Sequence, residues 1–250
     1  MVTRIAAQSE KDAGRLRDIG APPERLAVTG NLKFDVKLPP SLLEQGDSIR
    51  LAWGPNRLVL VAGSTHEEEE GIVLRAFLEI LGDYPDALLV LVPRHPERFG
   101  RAAQAARTAG LRVSLRSEGG VCPPETQCFL IDAMGELQRY FAACDVAFVG
   151  GSLERVGGHN VLEPAALAKP VVVGPHTFNF ADITQQLVEA GAAVQLEVET
   201  GFEAAVRQLF EEPETRDRMG QAGRELFLSG QGAVVRTLEI IDSLLTAEAG

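Results

Sequence analysis

Apolar residues recur along this chain in two rhythms. The runs at 58–62, 87–92, 128–131, 146–149 and 170–173 are almost uninterrupted, and those at 111–115 and 192–196 carry polar breaks. Uninterrupted runs this short predict strands covered on both faces. Between them the apolar spacing lengthens to three and four. Leu74, Phe77, Leu78 and Leu81 fall on one stripe of a helix, with Gly82 as its predicted stop. Helices are predicted over 67–81, 96–109, 136–143, 160–168, 181–190, 201–211, 213–228 and 232–246. Strands alternating with helices predict an α/β fold, a doubly wound parallel sheet of Rossmann-like type. In such sheets ligands gather at the carboxyl ends of the strands.

The first forty residues differ. Ser9 reads as a helix cap with Asp12 three positions on. Residues 26–30 read as a short strand, and Pro39-Pro40 as a linker. The expected division is therefore 1–40, the tail of a preceding domain with a hinge, and 41–250, the sheet domain.

The segments just after the strands share one chemistry: Gly63-Ser64-Thr65-His66, Pro93-Arg94-His95-Pro96, Asp132-Ala133-Met134-Gly135-Glu136, Gly150-Gly151-Ser152 and Gly174-Pro175-His176-Thr177. These small, polar and cationic residues would ring one crevice.

Composition narrows the partners. The net charge of -11 opposes binding to nucleic acid or to an anionic membrane. No apolar run is long enough to span a bilayer and the stretch from Met1 lacks a secretory signal core, so the chain as written is expected in the cytoplasm. Cys122, Cys128 and Cys144 fit neither a zinc spacing nor a redox motif and read as reduced thiols.

The candidate chemistry is anion binding. Gly63 lets the backbone turn next to a ligand, Ser64 or Thr65 could cap the next helix, and the free N–H groups there attract an anion; the acids from Glu67 to Glu70 fit a plain capped helix equally well. Arg94 offers a planar fork for a phosphate or carboxylate, or a surface ion pair. The segment from Gly150 to Pro164 carries two glycine pairs leading into a helix. Asn160 could cap it, and Glu163 could accept hydrogen bonds from ribose hydroxyls, close a capping box with Asn160, or do both. His66, His95, His159 and His176 all fall in loops after strands, yet none forms an H-x-x-x-H pair and no D-x-D pair exists, so neither a metal nor another cofactor is expected.

Taken together and in this order, these segments and the stretch from Thr29 to Asp35 resemble the C-terminal, donor-binding half of the 3-deoxy-D-manno-octulosonic acid (Kdo) transferases, over roughly residues 7–245. The resemblance implies a GT-B fold, two Rossmann-like domains with the site in the cleft between them. It implies metal-independent transfer of Kdo from CMP-Kdo to a lipid A precursor of lipid IVA type, in lipopolysaccharide biosynthesis at the cytoplasmic face of the inner membrane. It further implies that Pro93, Arg94, Met134, Gly135, Glu136, Asn160, Val161, Leu162 and Glu163 contact the CMP moiety. Lys33 would stabilise charge during transfer, and Ser64, Thr65, His66, Gly151, Ser152, His159 and His176 are further donor-contact candidates.

The general base of that family lies in the acceptor half, and no residue here maps onto it. The chain is expected to be a fragment, a misassigned start or half of a split enzyme, inactive alone, with apolar surface exposed where the other half would pack. Two other readings stand beside this one. The first is another GT-B enzyme, a UDP-hexosamine transferase or a UDP-sugar 2-epimerase. The second is a non-catalytic nucleotide-binding module.

Overall fold

All seven apolar runs form strands, and all eight helical stretches form helices. The computed structural model describes residues 2–120 and 122–248. In chain order the elements are β1 (Ile5–Ala7), α1 (Glu10–Asp18), β2 (Leu26–Val28), α2 (Leu42–Trp53), β3 (Val59–Thr65), α3 (Glu67–Asp83), β4 (Leu88–Pro93), α4 (Phe99–Thr108), β5 (Val113–Leu115), β6 (Cys128–Leu130), α5 (Leu137–Ala143), β7 (Val146–Val149), α6 (Leu162–Ala166), β8 (Val171–Val173), α7 (Ala181–Glu189), β9 (Ala193–Gln195), α8 (Phe202–Glu211), α9 (Pro213–Ser229) and α10 (Ala233–Glu248). They group into two units: residues to Leu38 together with those from Glu225, and Pro39–Arg224.

The larger unit is built on a seven-stranded, all-parallel sheet of order β5-β6-β4-β3-β7-β8-β9. Leu60 pairs with Val146 and Ala62 with Phe148, while Val61 pairs with Val90 on the other side. From β3 the chain winds to one edge, returns to β7 beside β3, and winds to the opposite edge. The reversal therefore falls between β3 and β7, and loops leaving their carboxyl ends must part there. Both faces of the sheet are covered. Leu60, Ala62, Leu89, Leu91 and Phe148 are fully buried in a core shared with Phe77 and Ile80 of α3 and Phe202 and Val206 of α8. Phe148 and Phe202 meet edge to face at 4.9 Å. Each such side chain contributes about 1.5–3 kcal/mol by leaving water.

On the other face Trp53 of α2 stacks on Tyr140 of α5 at 6.0 Å and stands edge-on to Phe129. The helix α2 is absent from the sequence expectation, which took Pro39-Pro40 as the start of a linker. Its interior Gly46 breaks the apolar stripe. The backbone of Ala142 comes so close that a Cβ on Gly46 would lie 2.5 Å from the Ala142 methyl. A second correction concerns Gly82: α3 runs on to Asp83 and its C-cap is Tyr84.

In the smaller unit β1 and β2 pair in parallel. Ser9 caps α1 as expected, its Oγ accepting from Asp12 N–H at 3.1 Å. The compact units depart from the expected division at residue 40 in two respects: the first break falls after Leu38, and the stretch from Glu225, assigned by sequence to the sheet domain, groups with the first residues of the chain. Asp35 carries much of that grouping. Its two carboxylate oxygens accept from Gly232 and Val234 N–H, each at 2.6 Å, and so cap the start of α10. These two N–H donors hold its carboxyl below the usual carboxylate range. Arg236 donates to the Thr29 carbonyl at 2.7 Å, and Phe34 is buried against Gly230. Along α10, Val235, Leu238 and Leu245 are exposed.

All three cysteines are free and buried. Burial pushes the Cys128 and Cys144 thiols up to about 12, so neither is a nucleophile. Among the described residues no helix is long and apolar enough to cross a membrane.

Candidate functional site

At the reversal between β3 and β7 the end of β3 is bent out of register. The ladder to β4 shifts between Gly63 and Thr65, and Ser64 sits at φ 57, a left-handed conformation that is unusual for a residue with a side chain. A bulge there turns Ser64 towards the crevice rather than into the sheet. Thr65, the next residue, is fully buried with its hydroxyl 3.4 Å from the Glu70 carboxylate. The cap of α3 is His66, not Ser64 or Thr65.

The acids at the start of α3 divide their work. Glu70 is buried and pairs with Arg98 at 2.8 Å, and Arg98 also reaches Glu67 at 2.7 Å. The Pro93–Phe99 segment is therefore split: Arg98 is structural, and Arg94 is left for the crevice. Glu69 is the decisive residue that the sequence reading missed. It is fully buried. Its Oε1 accepts from His66 N–H at 2.9 Å and from Gly151 N–H at 2.6 Å, and its Oε2 accepts from Leu153 N–H at 3.3 Å. One carboxylate thus ties the start of α3 to the glycine loop after β7. A Cβ on Gly150 would lie 2.5 Å from that carboxylate and 2.6 Å from the Ser64 carbonyl, which leaves room only for glycine. Burial raises the Glu69 carboxyl to about 7, against the opposing pull of its three N–H donors. The spacing His66-x-x-Glu69 is that of a capping box, the only sequence signal that could have separated Glu69 from its acidic neighbours.

Ser152 continues the scaffold. Its buried hydroxyl donates to the Val149 carbonyl at 2.7 Å and accepts from Gly174 N–H at 2.9 Å, while His176 N–H donates to the Ser152 carbonyl at 2.9 Å. The loops after β7 and β8 are thereby joined, and neither Ser152 nor His176 lines the crevice.

The crevice itself holds about 450 Å³. Pro93 and Arg94 enter from β4, Met134 and Gly135 from the loop after β6, Gln138 and Phe141 from α5, Ser64 from β3, and His159, Asn160 and Glu163 from the end of the glycine loop. The Arg94 N–H bonds the Thr65 carbonyl at 2.9 Å, which fixes its backbone, and among the described residues no carboxylate pairs with its exposed guanidinium. Met134 is 55% exposed, an apolar surface at the rim. Glu136 departs from expectation. Its carboxylate pairs with Arg116 at 3.1 Å and with Arg139, and accepts from the Tyr140 hydroxyl, so it braces α5 instead of lining the crevice.

Asn160 Oδ1 accepts from Leu162 N–H at 3.1 Å, and its amide faces Glu163 Oε1 at 3.4 Å. The expected cap and capping box are not formed, since the N-cap of α6 is Val161 and no side chain caps it; Asn160 and Glu163 keep the crevice role. Burial raises the Glu163 carboxyl, with hydrogen bonds from Gln138 and Asn160 acting the other way. Val161 and Leu162 turn their side chains into the core, leaving only backbone for a ligand. His66 and His159 meet through their Nε2 atoms at 2.8 Å. Burial lowers both, His159 to about 4, helped by Arg94 and His95. Lys33 belongs to the smaller unit, where its N–H bonds Asn31 Oδ1 at 3.0 Å. Among the described residues no three His, Cys, Asp or Glu side chains converge as a metal ion requires.

Residues 1–36 match a family model described as 3-deoxy-D-manno-octulosonic-acid transferase (kdotransferase), and residues 122–226 match glycosyl transferases group 1. The chain is 40% identical over 245 residues to a 3-deoxy-D-manno-octulosonic acid transferase of Haemophilus influenzae, covering 98% of this chain and 57% of that protein. It is 40% identical over 251 residues to the Bordetella pertussis transferase of the same name, covering 97% and 56%. The chain thus spans just over half the length of these relatives. The crystal structure of the C-terminal CMP-Kdo binding domain of WaaA from Acinetobacter baumannii superposes with a TM-score of 0.70 at 33% identity, covering 74% of this chain and 97% of that one.

Proposed function

The chain belongs to the 3-deoxy-D-manno-octulosonic acid transferase family, and from that premise we propose that its crevice holds the CMP-Kdo donor for transfer of Kdo to a lipid A precursor. One observation carries the reading: Arg94, the Met134–Gly135 turn and the Asn160–Glu163 turn, far apart in sequence, wall a single crevice at the carboxyl rim of a parallel sheet.

The chemistry of each wall suits a cytidine monophosphate. Arg94 is a free cation with bidentate geometry for the phosphate. Glu163, held by Gln138 and Asn160, is an acceptor for ribose hydroxyls. Met134 and Gly135 offer an apolar surface and bare backbone to the base. In this reading the transfer is metal-independent, with charge stabilisation supplied by the residues walling the crevice. Lys33 is assigned to the developing charge on the departing phosphate. The lipid IVA-type acceptor and work at the cytoplasmic face of the inner membrane belong to the same proposal.

The test is a calorimetric titration of the chain with CMP and with UDP. Tighter binding of CMP is expected, with Arg94→Ala losing measurable affinity while its thermal unfolding matches the parent. Preference for UDP, or unchanged CMP affinity in Arg94→Ala, overturns the assignment.

A further inference from the structure

His159 lines the crevice with Arg94, and His66 stands behind it. The His66 and His159 rings are nearly parallel, 4° apart, with centroids 5.1 Å apart and Nε2 atoms 2.8 Å apart. That combination places them nearly end to end, joined by an N–H···N hydrogen bond. Such a contact needs one proton between the nitrogens: two bare nitrogens repel, and two N–H groups clash. The neutral pair carries two ring protons, one in the bridge and one on the Nδ1 of the accepting ring. A third, on the other Nδ1, converts it to an imidazolium–imidazole pair with the same bridge intact. A fourth would break the bridge. The pair has room for one added proton without rearrangement.

His159 and Arg94 line the same crevice. On its far side His66 Nδ1 stands 3.8 Å from Glu154 Oε1, a carboxylate that can balance a charge on the pair. Resting on the reading that the crevice binds a nucleotide, we propose that the His66–His159 pair takes up one proton as a dianionic cytidine nucleotide enters. The crevice then meets two negative charges with two positive ones, Arg94 and the protonated pair. The ligand class is a dianion: the phosphate of CMP, or a phosphodiester beside a sugar carboxylate.

The physical cause is the field around the pair. Empty, it is kept neutral by burial, and the Arg94 guanidinium acts in the same direction. Glu154 faces it, with its own carboxyl raised by burial and by Glu68 and Glu67, and with Arg98 opposing. Glu69 sits beneath it, bonded to the His66 N–H. A phosphate on Arg94 offsets a cation that acts on the pair and adds negative charge in the same crevice, both of which favour the imidazolium. Linkage requires the reverse as well: the nucleotide binds more tightly when the pair is protonated.

The experiment is calorimetric titration of the chain with CMP near pH 7, where most CMP is already dianionic, in buffers of different ionisation enthalpy. The dependence of the observed heat on buffer gives the protons taken up. Uptake of roughly half a proton or more per CMP is expected, lost in His159→Gln and retained in Glu69→Gln, which separates the pair from the neighbouring carboxyl. CMP binding without uptake, or equal uptake in His159→Gln, overturns the proposal and leaves the nucleotide site standing. Absence of CMP binding by the parent chain overturns both. Should His159→Gln fail to fold, the histidine Cε1–H resonances of the parent chain, titrated with and without saturating CMP, give the same decision: a raised pKa supports the proposal and an unmoved one overturns it.

Discussion

At the scale of single residues, the crevice separates side chains that meet a ligand from side chains that hold the wall. Asn160 and Glu163 are three apart on a helical start and share a face, while Val161 and Leu162 between them turn into the sheet. Glu163 is thus the carboxylate that the proposed reading sets against ribose. Replacing it with Gln removes the negative charge that strengthens a bond to a hydroxyl, worth about 1.5–3 kcal/mol. Glu163→Gln is expected to weaken CMP about tenfold or more in a titration while leaving 2′-deoxy-CMP much less affected; equal losses would detach Glu163 from the sugar. Arg94 and Glu163 were visible in the sequence because position after a strand, or one turn into a helix, is itself information about direction. Glu69 was not, because four consecutive acids at a helix start look alike until the fold shows which one is buried. Glu136 misled in the opposite way: its partners Arg116 and Arg139 are brought to it by tertiary packing, which local spacing does not encode.

Among the elements, α3 and α10 show helix starts fixed by carboxylates that bridge segments far apart in the chain. The start of α3 is tied to the loop after β7 by Glu69, and that of α10 is capped by Asp35, about two hundred positions earlier in the chain. The Thr29–Asp35 segment, picked out by resemblance as a possible part of the transfer chemistry, thus has a structural duty through Asp35 and the Thr29 carbonyl. Loss of such a cap costs about 1 kcal/mol. In Asp35→Ala, amide exchange in the first turns of α10 is expected to speed up roughly fivefold, with exchange in the seven-stranded sheet unaltered; unaltered exchange in α10 would show that the cap contributes nothing. The strands and amphipathic helices were legible because burial on one or both faces dictates their period. The helix α2 was not, since Gly46 sits where its stripe should be and serves a close approach to α5 that exists only in the fold.

For the molecule as a whole, two opposed ionisations at the crevice set how stability depends on pH. Glu69 is raised from its ordinary 4.5 to about 7, so the folded state favours its protonated form. That contribution is complete below pH 4.5 and is lost as pH rises through 7. His159 is lowered from 6.5 to about 4, so its contribution is complete above pH 6.5 and is lost as pH falls through 4. Each shift amounts to about 3 kcal/mol, and between pH 4.5 and 6.5 the two slopes largely cancel. Glu69→Gln removes only the alkaline loss. Its unfolding temperature relative to the parent is expected to be more favourable at about pH 8 than at about pH 5, measured by thermal denaturation; a difference independent of pH would mean that Glu69 titrates alike folded and unfolded. The division into two units has a consequence for biosynthesis. The smaller unit is assembled from an early segment and a late one, with the whole seven-stranded sheet encoded between them. On the ribosome every strand of that sheet therefore emerges before the residues from Glu225 onward, and β1, α1 and β2 must wait for α10 to complete their unit.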